Sequence, residues 1–396
     1  MAAALLVKPD TDFLQAVLSS GGEDLKKCFQ CATCSAVCEL SPEGAPFPRR
    51  QMLEAQWGLK DKVLKDPAIW LCHHCGRCTT YCPRGARPGD VLNALRREVI
   101  KGFAYPAFLG RTVASPRLWP VLFLVPVLIF AAILLWAPKG PPTAELEFAN
   151  AFPIPVLEAL FFAVAGLVVV AFAVSMWRFI QAMRAPGTGG IMPGLLPALG
   201  LIATHERFAK CSGGRSRYWG HLLTLWGFVG LALVGTIVGV GNMFGVMHTP
   251  LLWFHPAKLF ANLCAAVILA GLALLLADRI ADPRNRAAST YYDWFFLLTI
   301  GGVAVTGVVS ELLRLAQLRV MYAVYFVHLV LIFALFLYAP YSKFAHLVYR
   351  TVAIAAAKAA ERRPRPADAA VPGAGGAVCA TCRTGSSLQQ ERRTCS

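Results

Sequence analysis

The feature that most constrains this chain of 396 residues is a set of six apolar stretches, at roughly 118–137, 153–177, 219–243, 256–277, 293–312 and 320–340. At ~1.5 Å of rise per helical residue, each is long enough to cross the hydrocarbon core of a bilayer. Backbone in hydrocarbon has to satisfy its own N–H and C=O groups, so each stretch is predicted to be a helix and residues 117–350 to form a six-helix transmembrane bundle. The composition agrees: 57% of residues are hydrophobic and 15% charged, outside the range of ordinary soluble domains. The formal charge of +16 raises the alternative of a nucleic-acid partner, but no basic stripe is interleaved with stacking aromatics. The cations sit in short connections instead. Those at 178–218 and 278–292 hold Arg178, Arg184, Arg207, Lys210, Arg215, Arg217, Arg279, Arg284 and Arg286, whereas the opposite connections hold Lys139, Arg314 and Arg319. This asymmetry predicts a multi-pass protein of the cytoplasmic membrane with both termini in the cytoplasm.

The cysteines are placed as unevenly as the apolar residues. Of thirteen, eight fall between Cys28 and Cys82, three in the last eighteen residues, and two, Cys211 and Cys264, between. Such clustering argues for metal ligation over disulfides. The first run is Cys28-x2-Cys31-x2-Cys34-x3-Cys38, and the second is Cys72-x2-Cys75-x2-Cys78-x3-Cys82 followed by Pro83. Both have the bacterial ferredoxin spacing, in which three thiolates wrap one face of a 4Fe-4S cubane and the fourth points to a second cluster. Crossed ligation is therefore predicted: Cys28, Cys31, Cys34 and Cys82 for one cluster, and Cys72, Cys75, Cys78 and Cys38 for the other. Zinc prefers four ligands in separated pairs and fits two full runs poorly. Glu39 stands where a Pro often follows the fourth cysteine, a position that ligates nothing. His73 and His74, between cluster ligands, are expected to tune the cluster.

Around these runs, residues 1–116 read as a small helical cytoplasmic domain. The pattern predicts an amphipathic helix (Phe13, Leu14, Val17, Leu18) ending at Gly21-Gly22, a helix over 49–57, a break at Asp66-Pro67, and a helix from an Asp90 N-cap to about Lys101. The first twenty-seven residues do not read as a cleaved signal peptide, so the cysteines are expected in the reducing cytoplasm. Residues 351–396 are basic, without periodicity, and expected to be disordered. Cys379, Cys382 and Cys395 in that tail read as incidental thiols, with a reversible redox or metal site as the alternative.

Polar groups inside a bilayer point to function, and neutral imidazole is the usual axial ligand of b-type haem. His328 and His346 are 346 − 328 = 18 residues apart, about five turns, which would place them on one helix face ~27 Å apart along the axis. His221 opens the third stretch at the depth where the sixth leaves through His346, so the two are predicted to clamp one haem. For an outer haem on His328 the chosen partner is His255, with His248 next and an interfacial loop role for both as the alternative. His205 reads as a headgroup-region residue.

Two blocks, CFQCATCSAVCELSPEGAPFPRRQMLEAQWGLKDK and IWLCHHCGRCTTYCPRGARPGDVL, resemble the C subunit of the quinone-interacting (quinone-modifying) membrane-bound oxidoreductase, whose head is similar to the C subunit of heterodisulfide reductase. The resemblance covers about residues 25–350. The membrane half is similar to the cytochrome b that forms the E subunit of heterodisulfide reductase and to the gamma subunit of respiratory nitrate reductase, on Pro340-Tyr341-Ser342-Lys343-Phe344-Ala345-His346 with His328 before it. It implies a mainly α fold, an inner haem b between His221 and His346, and a second haem using His328. Leu231 stands where those cytochromes have a further histidine. Lys258 loosely matches their quinol-contacting lysine, against an ordinary interfacial lysine as the alternative.

The implied function is an electron relay among menaquinone, haem b, two 4Fe-4S clusters and the soluble flavin- and iron-sulfur-containing A and B subunits of the same complex, linked to adenylylsulfate reductase and sulfur metabolism. The chain would be a component of an oxidoreductase, not a self-sufficient enzyme. The alternative is a heterodisulfide-reductase-type membrane subunit serving a thiol-disulfide enzyme, although the chain lacks the adjacent Cys-Cys pair of that family's active-site motif. A zinc-bound membrane scaffold is a third class.

Overall fold

The structure, a computed structural model, describes residues 8–41, 45–138, 145–184, 190–206, 215–281 and 289–361. Among them every regular element is helical. The head comprises α1 (Thr11–Val17), α2 (Thr33–Ala36), α3 (Arg49–Gln56), α4 (Lys60–Lys65), α5 (Ala68–Leu71), α6 (Arg77–Thr80), α7 (Pro88–Phe103) and α8 (Ala107–Ala114). Asp10 starts α1 by accepting the Phe13 amide at 2.8 Å, and the helix widens into a π turn, Leu18–Gly22, where Gly21 takes φ 93°. The axis of the head is α7. Its Val91, Leu92 and Leu95 bury one face against Phe13, Val17, Met52, Ala55, Val63 and Ile69, an amphipathic stripe worth roughly 2 kcal/mol per fully buried side chain. The helix begins one turn before the predicted Asp90 cap: Pro88 fits the first helical position, where its missing N–H costs nothing, and Asp90 lies in the first turn.

Among the described residues, five helices are long and apolar enough to cross a membrane: Pro116–Trp136, Ile154–Met183, Arg215–Met243, Pro256–Ala281 and Tyr291–Leu315. We label their helical cores α9 (Trp119–Trp136), α10 (Ile154–Met183), α12 (Arg215–Met243), α13 (Pro256–Ala281) and α14 (Tyr291–Leu315), with α11 (Met192–Thr204) between α10 and α12. Leu167, Val169, Leu233, Leu263 and Leu298 point outward from these helices and are exposed, as lipid-facing side chains would be. A seam of small residues brings α12 against α13. A Cβ at Gly227 would stand 2.7 Å from the Ile268 amide, and one at Gly271 2.6 Å from the Thr224 amide, so only glycine permits this approach.

The sixth stretch corrects the sequence reading. Its helix, α15 (Met321–Leu337), has 17 residues and stops before Pro340. Proline removes a backbone donor and its ring disfavours helix in the residue before it. The chain turns at 338–342, forms a 3-10 turn Lys343–Ala345, and restarts as α16 (His346–Glu361). His328 and His346 therefore lie on different helices, and the five-turn register between them does not exist. The short apolar helix α11, within a connection expected to be irregular, is pressed onto α16: a Cβ at Gly194 would stand 1.9 Å from the Ala355 carbonyl oxygen.

Head and bundle share a core. Trp70 stacks on Tyr349 at 5.2 Å between ring centres, and around them Val99 and Ile100 of the head meet Met176 and Phe179 of α10 and Val352 and Ala353 of α16. Lys139, Arg207, Lys210, Arg284, Arg286, Cys211 and the tail cysteines Cys379, Cys382 and Cys395 lie outside the described residues.

Candidate functional site

The two cysteine runs fold as copies of one another, offset by 72 − 28 = 44 residues. In the first, Gln30 and Ala32 flank Cys31 with φ of 60° and 69°; in the second, His74 and Gly76 flank Cys75 with φ of 56° and 83°. Each loop then enters a one-turn helix, α2 or α6, and the two helices pack together. Left-handed residues on both sides of a cysteine curl the backbone around it, a conformation that costs non-glycine residues free energy and recurs where a loop cradles a group. Hydrogen-bond donors face the sulfurs: the His74 amide lies 3.3 Å from Cys72 Sγ, and Gln30 Nε2 lies 3.5 Å from Cys28 Sγ.

The same two carbonyls are anchored in each copy. Gln56 Nε2 donates to Leu25 O at 3.0 Å and Cys28 O at 2.8 Å. Arg96 Nη2 donates to Ile69 O at 2.8 Å and Cys72 O at 2.6 Å. Ile69 and Cys72 are Leu25 and Cys28 displaced by 44. One copy is held by a neutral amide and the other by a guanidinium.

The thiols are arranged across the copies. Cys28 has Cys82 and Cys31 as electrostatic neighbours, and Cys38 has Cys72 and Cys75, followed by Cys34. Each fourth cysteine thus faces the opposite run. Burial pushes the thiols of Cys28, Cys34 and Cys38 up, and that of Cys78 up to about 12, so these groups become thiolates only with a compensating cation. Cys31 is exposed, and the Thr33 hydroxyl holds its thiol below the ordinary value. Eight soft ligands in two crossed sets fit two polynuclear clusters.

Beside the second loop, at the junction with the bundle, lies a cavity of about 300 Å³, the size of a small ligand pocket. Cys72, His73 and Arg96 line it from the head, and His205, His221, Lys343 and His346 from the bundle. The expected pair is brought together here, since His221 has His346 among its electrostatic neighbours. His346 Nδ1 donates to Lys343 O at 2.5 Å, which leaves Nε2 with a lone pair, the arrangement common to ligating histidines. Lys343 itself is ion-paired to the buried Asp293. His205 is an addition that sequence reasoning missed. It ends α11 in a left-handed conformation, φ 52°, with its ring centre 6.4 Å from that of His221. Tyr218 and Trp226 of α12 hold it there by donating to Thr204 O at 3.3 Å and Ala203 O at 3.2 Å. Imidazoles and cations share the lining with the carboxylates Asp278 and Asp293 and with an apolar wall of Phe228, Leu272 and Ile300.

The outer residues have other neighbours. Thr306 Oγ1 donates to Gly302 O at 2.6 Å and accepts from His328 Nδ1 at 3.1 Å, and His328 packs near Tyr325. His255 Nδ1 accepts the Ala257 amide at 3.2 Å, so its lone pair caps the start of α13, a role the expected haem ligand did not include. Lys258 pairs with Glu311 at 2.8 Å. Leu231 packs in the core formed by α13, α14 and α15.

Residues 24–86 match the 4Fe-4S dicluster domain family. The head is 40% identical over 100 residues to the C subunit of H(2):CoB-CoM heterodisulfide,ferredoxin reductase of Methanothermobacter thermautotrophicus, covering 25% of this chain and 54% of that protein. It is 38% identical over 85 residues to an Archaeoglobus profundus protein that is itself like the C subunit of heterodisulfide reductase (21% and 45% covered). It is 37% identical over 91 residues to the C subunit of ferredoxin:CoB-CoM heterodisulfide reductase of Methanosarcina mazei (23% and 56%). The chain spans about half the length of the curated relatives it matches. No solved structure matches it. The stretch that carries the duplicated cysteine loops thus matches a 4Fe-4S dicluster domain, and the head is similar in sequence to the C subunit of heterodisulfide reductase.

Proposed function

We propose that this chain is a membrane-bound electron-transfer subunit of heterodisulfide-reductase type, serving a thiol-disulfide redox enzyme whose disulfide-handling site is on a soluble partner. The observation that carries this reading is the crossed approach of Cys38 to Cys72 and Cys75, and of Cys28 to Cys82, in a head homologous to the C subunit of that enzyme. Cys28, Cys31, Cys34 and Cys82 hold one cluster, and Cys72, Cys75, Cys78 and Cys38 the other, on loops whose donors face sulfur. When bound, the clusters and a haem b supply one-electron redox chemistry. The chain supplies the rest: His221 and His346 as the axial pair at the junction, and Arg96 and Lys343 as charge beside it.

A second reading keeps this relay but draws electrons from menaquinone and links it to adenylylsulfate reductase in sulfur metabolism. The observation favouring it is His328, a further imidazole on an apolar helix in the part of the chain outside the curated matches, where it bonds Thr306. Spectra of the purified chain test the shared relay: about eight irons per chain in clusters plus a low-spin b-haem are expected, and stoichiometric zinc on the cysteines would sink it. Identification of the co-purifying partner, a flavin- and iron-sulfur-containing heterodisulfide-cleaving protein or adenylylsulfate reductase, separates the two readings.

A further inference from the structure

Both residues between Cys72 and Cys75 are gripped from the membrane bundle. Arg217 of α12 donates Nη1 to the His74 carbonyl at 2.9 Å, and Arg350 of α16 donates Nη2 to His73 Nδ1 at 2.5 Å. Because a guanidinium only donates, His73 Nδ1 accepts, and the neutral ring carries its proton on Nε2. The helices that supply these arginines also supply the inner histidines, one turn away in each case: 221 − 217 = 4 and 350 − 346 = 4. At that spacing Arg217 shares a helix face with His221, and Arg350 with His346. Arg217 also has the Cys72 and Cys75 thiols among its electrostatic neighbours. At the equivalent positions of the first loop the partners belong to the head: Phe29 lies under Arg84 at 4.1 Å, and Gln30 donates to Gln56 at 2.8 Å.

We propose that Arg217 and Arg350 are positioning residues that fasten the Cys72–Cys75 loop to the His221–His346 site, making the cluster of Cys38, Cys72, Cys75 and Cys78 the membrane-facing station of the relay and that of Cys28, Cys31, Cys34 and Cys82 the partner-facing one. The inference rests on the cluster and haem reading above and adds an order to it. One electron passes between the junction site and the second loop, in either direction, one centre being oxidised as the other is reduced, with no bond made or broken. The arginines hold the two ends at fixed separation. Their charge also favours the reduced, more negative state of the nearer cluster, because a cation close to a buried anion is weakly screened.

The test is a redox titration of the full-length chain in nanodiscs, following both cluster signals by electron paramagnetic resonance and the haem by absorbance. Arg350→Gln and Arg217→Gln are each expected to lower the potential of one cluster signal, by about tenfold in its reduction equilibrium or ~59 mV for one electron, and to leave the other in place. The signal that moves should be the one Cys75→Ser abolishes, and Arg350→Lys, which keeps the charge, should restore most of the shift. If neither glutamine variant moves a potential, or if the shifted signal is the one Cys31→Ser abolishes, the assignment is overturned. Should Arg350→Gln fail to accumulate, Arg217→Gln decides the matter by the same criteria. A wild-type chain without two cluster signals would instead refute the underlying reading, and the order with it.

Discussion

The two cysteine loops share a backbone and differ in what surrounds it. Both place left-handed residues on either side of their second cysteine, and both have two carbonyls, one of them the first cysteine's, tied by a single side chain. In the first loop that side chain is neutral Gln56, the neighbouring Phe29 is 66% exposed and Cys31 faces solvent. In the second it is Arg96, and His73 between the cysteines is 9% exposed. Identical ligands in one conformation thus receive different electrostatics and different access. What distinguishes two centres on a relay is the shell around the ligands, which tunes potential and sets which neighbour can approach.

Replacing the two anchors sharpens this contrast. Arg96→Ala leaves the Ile69 and Cys72 carbonyls without a charged donor and should cost about 3–5 kcal/mol, whereas Gln56→Ala, which removes neutral bonds, should cost about 1–3 kcal/mol. Chemical denaturation followed through cluster absorbance measures both. Equal losses would mean that the charged anchor adds nothing beyond geometry.

A smaller effect is expected behind the first loop. Asp10 accepts the Phe13 amide, pairs with Lys60 at 3.2 Å, and donates its own amide to Gly58 O at 2.9 Å, beside Gln56. The Phe13 amide first, then Lys60, lower its carboxyl below the ordinary 3.8. A depressed carboxylate stabilises the fold above its unfolded pKa and loses that contribution as pH falls through the folded value. Asp10→Asn, which keeps the capping oxygen, should therefore lower the melting temperature slightly at neutral pH, and the gap should close below pH 3.8. A gap unchanged across that range would show that the charge plays no part.

Much of this was legible in the sequence because it is local. The cysteine spacing dictates the loops, and apolar length dictates five of the spans. Pro340 was legible too, but hydropathy across 320–340 outweighed it, and the resulting single helix gave His328 and His346 a register they do not have. Other features depend on tertiary placement. His205 reaches His221 only because α11 packs against α16 and Tyr218 and Trp226 hold its end. Arg96 and Gln56 do the same work at positions 96 − 56 = 40 apart, not 44, so comparing the repeats could not pair them. Arg217 and Arg350 stand one turn from His221 and His346 in the sequence, yet what they grip is visible only in the fold. The His255 cap was hidden because an imidazole that ligates and one that accepts a backbone amide look alike in sequence.

The most direct test of the crossed arrangement is the paramagnetic resonance spectrum of the reduced Cys38→Ser chain, set beside those of Cys31→Ser and Cys75→Ser. Cys38 faces Cys72 and Cys75, so Cys38→Ser should perturb the signal that Cys75→Ser abolishes and leave intact the one that depends on Cys31. Loss of the Cys31-dependent signal in Cys38→Ser would show that each run closes on its own cluster, and would contradict the account.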